Sequence, residues 1–315
     1  MRDTDALAAP VGAPAGEPPA RRGRAMALMV VASSSISFGG LIMRSIAQAD
    51  PWQVTFYRGL ALFLAVALIL ALRYRRAAWD RVRGVGRPGL VGGVLLGLAG
   101  ISFVQALAHT TVANALFTLG AIPFITAALA WLLLGERPRP ATLVTMAVAA
   151  AGIFVMVGEG LGGGSVLGNL LALATALCFS SFAVIVRRHR GVDMLPALLA
   201  SGLFIVLVAG AVRLGDLAVP WRDLGLCFLW GGLLSGVANW FFVIASRHLV
   251  AAELTLFMML EFALGPVWVW LFVGETPGRG TLAGGVLVLA AVAARALVEL
   301  RDSAPRLRRG RPSPT

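Results

Sequence analysis

Charged side chains inside apolar runs are the residues of this sequence that could do chemistry. Glu261 lies about 11 residues into the apolar run 250–273, or roughly 16 Å along a helix at 1.5 Å per residue. That depth is near the middle of a bilayer core roughly 30 Å thick, where a charge costs roughly 2.5–3.5 kcal/mol. Glu261 could bind a cationic group or carry a proton in a cavity. It could also be a structural carboxyl bonded to backbone loosened by Gly265 and Pro266.

Arg58 and Glu253 are the next candidates. Arg58 lies about six residues into the run 52–72, and its two interpretations are a structural clamp between helices and an anion-binding group. Glu253 is near the beginning of the same run as Glu261. It could be a gate group or a substrate contact, but an acid is also favourable at a helix N-terminus, and that interpretation is preferred.

Smaller polar residues are spread over both halves of the chain. Asn114 and Thr118 are four apart and share one helix face, and Asn239 is adjacent to Trp240. Each residue alone is explained by an interhelical hydrogen bond, worth about 0.6 kcal/mol on average. Because both halves contribute, the set predicts a polar ring around a substrate cavity. Its members are Asn114, Thr118, Gln105, Ser37, Ser181, Asn239 and Trp240, with Ser102, His109 and Ser235 nearby.

The remaining composition excludes several function classes. The sequence has no HExxH helix, no GxSxG elbow and no phosphate-cradling glycine loop with lysine, so we expect neither an enzyme nor an ATP-driven pump. Cys178 and Cys227 lie inside apolar runs and predict no disulfide, metal site or cofactor. The net charge of +12 lies in short clusters between apolar runs, which argues against nucleic acid as a partner.

Long apolar runs must position these residues. The chain is 58% hydrophobic and 13% charged, whereas soluble domains are about 25% charged, so the sequence predicts an all-α polytopic membrane protein. Residues 1–24 are rich in Ala, Pro and Gly and are expected to form a disordered tail. Ten runs of about 20 residues follow: 25–47, 52–72, 88–108, 111–134, 140–158, 166–186, 194–213, 224–246, 250–273 and 279–299.

The arginines predict the orientation of these runs. All 27 basic residues are arginine. With the N-terminus in the cytoplasm, 22 arginines lie in inside segments and four in outside segments, which is a strong positive-inside asymmetry. We therefore expect a bacterial-type cytoplasmic membrane protein with both termini inside, the second of them a basic tail at 300–315. The four outside arginines are Arg44, Arg213, Arg222 and Arg279.

An internal duplication organises the ten runs. The segment 92–109 aligns with 231–248 at a shift of 139, with nine identities in 18 positions, including His109 with His248. The repeats span 25–158 and 166–299, and each holds five runs. An odd number of spans inverts the second repeat relative to the first, which is a transporter architecture built around a central cavity.

Glycines recur at equivalent places in the two repeats. Gly93 and Gly97 are four apart, as are Gly232 and Gly236, and this spacing predicts close helix packing. The Gly-Glu pairs 135–136 and 274–275 are expected to end helices, because glycine is an ordinary helix terminator. We interpret both pairs as structural.

Several motifs resemble the EamA-type transporters of the drug/metabolite transporter superfamily. They are Phe56-Tyr57-Arg58 in run two, the segment 131–137 (WLLLGER) closing run four, and Leu260-Glu261 followed by 270–275 (WLFVGE). The resemblance covers about residues 27–299. It departs from the family pattern after Glu261, where Phe262 stands in place of proline and proline comes at Pro266.

The resemblance implies ten helices around a central cavity and export of small metabolites or drugs by alternating access. The expected partners are a small-molecule substrate and the lipid bilayer, and proton coupling through a carboxylate stays open. The alternatives are a membrane-embedded enzyme or receptor, or a channel, on the same ten-helix scaffold.

Overall fold

The chain folds as a bundle of helices. The computed structural model describes residues 19–75, 78–135, 140–161, 166–189, 195–238, 241, 245 and 251–309, and every regular element in this part of the chain is helical. The elements are α1 (Pro19–Ser37), α2 (Gly39–Ser45), α3 (Pro51–Tyr74), α4 (Ala78–Gly84), α5 (Gly86–His109), α6 (Val112–Leu119), α7 (Ile122–Leu134), α8 (Pro140–Leu161), α9 (Val166–Arg188), α10 (Leu195–Val212), α11 (Trp221–Phe228), α12 (Leu229–Val237), α13 (Ala251–Val273) and α14 (Arg279–Arg309).

Seven helical stretches of the described chain are long and apolar enough to cross a membrane. Two further apolar helices, Leu143–Met156 and Phe257–Val273, are shorter. The prediction of an all-α polytopic membrane protein is therefore confirmed. The seven spans are Gly23–Ser45, Pro51–Tyr74, Gly86–His109, Val112–Leu134, Val166–Val186, Leu195–Val212 and Arg279–Val298.

Local sequence explains where several helices begin and end. Asp50 accepts hydrogen bonds from the backbone N–H groups of Trp52 and Gln53, while the Gln53 side chain accepts one from Asp50 N–H, so a capping box begins α3. Gly135 and Gly274 follow α7 and α13 with φ angles of 71° and 75°. Only glycine adopts this left-handed conformation without strain, and both glycines end their helices as predicted.

Three of the predicted apolar runs contain irregular backbone. Run one is divided at Phe38 between α1 and α2, and run four is divided at Gly120-Ala121 between α6 and α7. In run eight, α12 has the wider π-helical turn, a geometry that is rare and frequent at functional sites. In run nine, α13 continues through Gly265 and Pro266 without a break.

Glycines set the closest approaches between helices. A Cβ at Gly93 would lie 2.7 Å from Ala200 Cβ on α10, and one at Gly97 would lie 2.6 Å from Phe204 Cδ1. Gly265 of α13 faces Leu116 of α6 in the same way. An added Cβ at these distances would force a neighbouring atom to move, so glycine permits the close approach, which explains the four-residue glycine spacing in α5.

Candidate substrate cavity

A cavity of about 250 Å³ lies inside the bundle. Residues from α1, α2, α3, α5, α6, α7, α9, α10, α12 and α13 line it, so both halves of the sequence contribute. Its wall is mainly apolar, as is usual for sites that bind small organic molecules. The polar and charged residues in the wall are Ser33, Ser37, Arg58, Thr175, Ser201, Ser235 and Glu261.

Arg58 of α3 is held in the cavity wall by aromatic rings. Its guanidinium carbon lies 4.6 Å from the ring centroid of Trp230 on α12 and 6.0 Å from that of Phe103 on α5, which are cation–π distances. Its buried Nε has no hydrogen-bond partner. The stacking fixes the position of the guanidinium and leaves its Nε–H able to donate a hydrogen bond to a ligand.

Close backbone approaches hold Trp230 and Arg58 in place. A Cβ at Gly39 would lie 2.6 Å from Trp230 Nε1, so the indole occupies the space of the missing side chain. Gly231, next to Trp230, lies directly against the carbonyl of Arg58. The geometry of the cation–π pair therefore depends on glycines from two different helices.

Glu261 of α13 lines the same cavity. The ion pairs found among the described residues include neither Glu261 nor Arg58. Two ionisable side chains, one basic and one acidic, thus line one mainly apolar cavity without pairing directly. Charges in such surroundings are costly unless a partner or water compensates them, and a polar ligand entering the cavity would supply that compensation.

Ser37 lies at the junction of α1 and α2 and also lines the cavity. Its hydroxyl donates to the Ser34 carbonyl over 2.6 Å and accepts from Trp268 Nε1 over 2.9 Å. Trp268 stacks on Phe38, with ring centroids 5.0 Å apart. These contacts join the irregular part of run one to α13, the helix that carries Glu261.

Several residues of the predicted polar ring lie outside the cavity lining. Asn114 and Thr118 are buried at 3% and 0% exposure. The amide of Asn114 donates to Thr110 and to Asn169 of α9, and Thr118 Oγ1 donates to the Asn114 carbonyl. These side chains bond to one another and to the backbone within the helix packing, while Asn114 Oδ1 and Asn169 Nδ2 are buried without a hydrogen-bond partner among the described residues.

The other predicted site residues either make hydrogen bonds within the helix packing or lie outside the described residues. Gln105 is buried, with Nε2 3.5 Å from Thr55 Oγ1, and Ser181 donates to the Leu177 carbonyl. His109 Nδ1 lies 2.7 Å from the Gln105 carbonyl. Outside the described residues are Asn239, Trp240, His248, Glu136 and the side chain of Glu253.

Sequence reasoning missed two kinds of residue. Trp230 and Phe103 shape the cavity around Arg58, and their only sequence signal is that both are aromatic residues close to glycines. Arg44 and Glu275 form an ion pair with an Nε to Oε2 distance of 2.6 Å. The sequence predicts Glu275 only as part of a helix-ending Gly-Glu pair, and the structure adds this contact to that role.

Comparisons with known proteins show what the chain is similar to. Residues 23–158 match the EamA-like transporter family. The chain is 27% identical over 273 residues to the pseudopaline exporter CntI of Pseudomonas aeruginosa, covering 84% of this chain and 93% of that protein. It is 28% identical over 204 residues to a riboflavin transporter of Rhizobium johnstonii, covering 63% of this chain and 66% of that protein.

A solved crystal structure has the same fold, with a TM-score of 0.61 at 22% identity, covering 89% of this chain and 99% of that chain. The all-helical bundle, the match to the EamA-like transporter family over residues 23–158 and the transporter relatives agree with the family resemblance of the sequence motifs.

Proposed function

We propose that the protein is a secondary active transporter that exports a small metabolite or drug across the cytoplasmic membrane by alternating access. The observation that carries the proposal is the cavity in which Arg58 and Glu261 face a shared space without pairing. Intramembrane charges of this kind typically mark substrate or ion pathways. The relatives named as a pseudopaline exporter and a riboflavin transporter support a small organic substrate.

The proposed architecture is ten spans in two inverted repeats, 25–158 and 166–299, between the tails 1–24 and 300–315. Reciprocal packing supports it. Gly93 of α5 packs on α10, and its repeat equivalent Gly232 packs on α3. A Cβ on Gly59 would lie 3.7 Å from the carbonyl of Gly202, its own equivalent at a shift of 143. Contacts between equivalent residues are expected beside a two-fold axis.

The proposed orientation places both termini in the cytoplasm and the cavity nearer that side. Leu198, the fourth residue of α10, lines the cavity close to the predicted inner end. At the other end, the helix connections are joined by hydrogen bonds such as Tyr57 Oη to the Leu217 carbonyl over 2.5 Å. This asymmetry supports an inward-facing carrier.

Arg58 and Glu261 have separate proposed roles. Arg58 binds an anionic group of the substrate, because its guanidinium is positioned by Trp230 and Phe103 and retains an unpaired donor. Glu261 binds a cationic group or carries a proton. The serines of the wall, together with Thr175, orient the ligand through hydrogen bonds.

A metabolite-resistance screen on a strain overexpressing the protein tests this function. We expect resistance to at least one small polar metabolite or drug, and loss of that resistance in Arg58→Gln and Glu261→Gln at equal protein levels. Uptake of the identified compound into inverted membrane vesicles should saturate and be stimulated by the same compound on the other side. Flux that does not saturate would contradict a carrier and indicate a channel.

A further inference from the structure

Arg44 joins four structural elements at the end of the bundle away from the tails. Its Nε binds Glu275 Oε2 over 2.6 Å, and its two terminal nitrogens donate to the carbonyls of Leu107 and Thr110, each over 2.7 Å. Glu275 in turn accepts from the backbone N–H of Val112 over 2.7 Å. The pair therefore ties the end of α2 and the segment after α13 to the turn between α5 and α6.

This ion pair lies one helical turn beyond the cavity. Gly40, Phe103 and Leu116 line the cavity, and each is four residues from a residue of the Arg44 network. The corresponding network residues are Arg44 itself on α2, Leu107 on α5 and Val112 on α6. Four residues span about 6 Å of helix, so the network forms the next layer after the cavity wall.

The chemistry of the network suits a contact that forms and breaks. The side chains of Arg44 and Glu275 are 24% and 19% exposed, so water can solvate both charges when they separate. A fully buried pair would be much more costly to open. The guanidinium fork also fixes three acceptors in one geometry, which makes the closed arrangement specific.

Other polar contacts at this end of the bundle join different elements. The Arg44–Glu275 pair is therefore the part of this layer that lies above α5, α6 and α13. Asp223 of α11 accepts hydrogen bonds from the backbone N–H groups of Gln48 and Ala49, over 2.8 Å and 2.9 Å. That contact joins the α2–α3 connection to α11 instead. Arg213 pairs with Asp50 and Asp216 at the same end of the bundle, and the ion pairs found among the described residues do not join them to Arg44 or Glu275.

We propose that the Arg44–Glu275 pair is an outer latch, which closes the cavity toward the outside and opens when the cavity is exposed to that side. The proposal rests on the proposed alternating-access function. It assigns a conformational role to Glu275 in addition to its place in a helix-ending motif. The latch does not contact the substrate.

Cysteine accessibility tests the latch without requiring a substrate. Ser33, which lines the cavity, is changed to cysteine in a background that carries Cys178→Ser and Cys227→Ser. A membrane-impermeant methanethiosulfonate reagent is then applied from either side of oriented vesicles. In the parent we expect labelling from the cytoplasmic side and slow labelling from the outside. Glu275→Gln should raise the outside rate about tenfold, equivalent to about 1.4 kcal/mol in the open–closed equilibrium.

Matched variants separate the outcomes. Arg213→Gln removes an ion pair at the same end of the bundle and should leave the outside rate unchanged. If Glu275→Gln does not fold, Arg44→Lys keeps the charge but loses the fork, and it should raise the outside rate in the same direction. An unchanged outside rate in the folded latch variants overturns the latch. A parent that is labelled from neither side contradicts the proposed cavity function instead.

Discussion

Two adjacent glycines of α12 allow a stringent test of the helix packing around Arg58. A Cβ at Gly231 would overlap the carbonyl group of Arg58, with that residue's carbonyl carbon at 2.9 Å and its Cα at 3.0 Å. A Cβ at Gly232 would have its nearest neighbour, the Ala61 carbonyl oxygen, at 3.6 Å, which is ordinary van der Waals contact. Gly231→Ala and Gly232→Ala therefore add the same methyl group at very different cost.

The magnitude follows from these contacts. At Gly231 the obstacle is backbone, so no rotamer change relieves the overlap and α12 must move away from α3. Overpacking typically costs about 1–3 kcal/mol, and we expect about 3 kcal/mol here. Replacing glycine by alanine in a helix gains about 1 kcal/mol. The net expectation is a loss of about 2 kcal/mol for Gly231→Ala and a gain of up to about 1 kcal/mol for Gly232→Ala.

Thermal unfolding in detergent measures the difference. For Gly231→Ala we expect Tm to fall by roughly 3 °C, while Gly232→Ala should retain or slightly raise the parental Tm. Resistance to the exported compound should fall with Gly231→Ala, because Arg58 and Trp230 move apart. Equal Tm values for the two variants would refute the assigned contact between α12 and α3.

Three further predictions concern charge and topology. Glu261→Gln should express and fold normally with transport strongly reduced or without its pH dependence in vesicle assays, and unchanged transport at every pH would contradict a functional carboxylate. Burial acts to raise the pKa of Asp223, but hydrogen bonds from the N–H groups of residues 47–49, with the charge of Arg222, lower that pKa overall. The stabilisation by Asp223 is therefore complete above its unfolded pKa of about 3.9 and is lost as pH falls through its lower folded pKa. Asp223→Asn should lower Tm at pH 7, with a difference that shrinks in acid, and a pH-independent difference would count against this assignment. Reporter tags at both chain ends should give cytoplasmic signals and a tag at Gly162 an outside signal, and any other pattern would reject the proposed orientation.

The sequence by itself determined that the apolar runs are helical and where two of the helices end. Long apolar runs must form helices in a membrane because lipid offers no partner for backbone polar groups. Glycine with a positive φ ends α7 and α13, and these positions were evident from the Gly-Glu pairs at 135 and 274. The family motifs were likewise local, since each is a short run of adjacent residues.

Only the tertiary structure decided which of the predicted residues line the cavity. Asn114 and Thr118 share a helix face, as their spacing predicted, yet that face is buried with Asn169 on α9. Periodicity defines a face of a helix, but the rotation and tilt of that helix come from packing against its neighbours. For Glu261 the packing turned the residue toward the cavity, and for Asn114 it did not.

The contacts that hold Arg58 and Arg44 depend on residues far apart in the chain. Trp230 reaches Arg58 because Gly39 and Gly231 let three helices meet closely, and the π-helical turn of α12 carries the indole. Arg44 and Glu275 are 231 positions apart. No local pattern specifies such a pair, because its geometry exists only once helices from both halves have packed together.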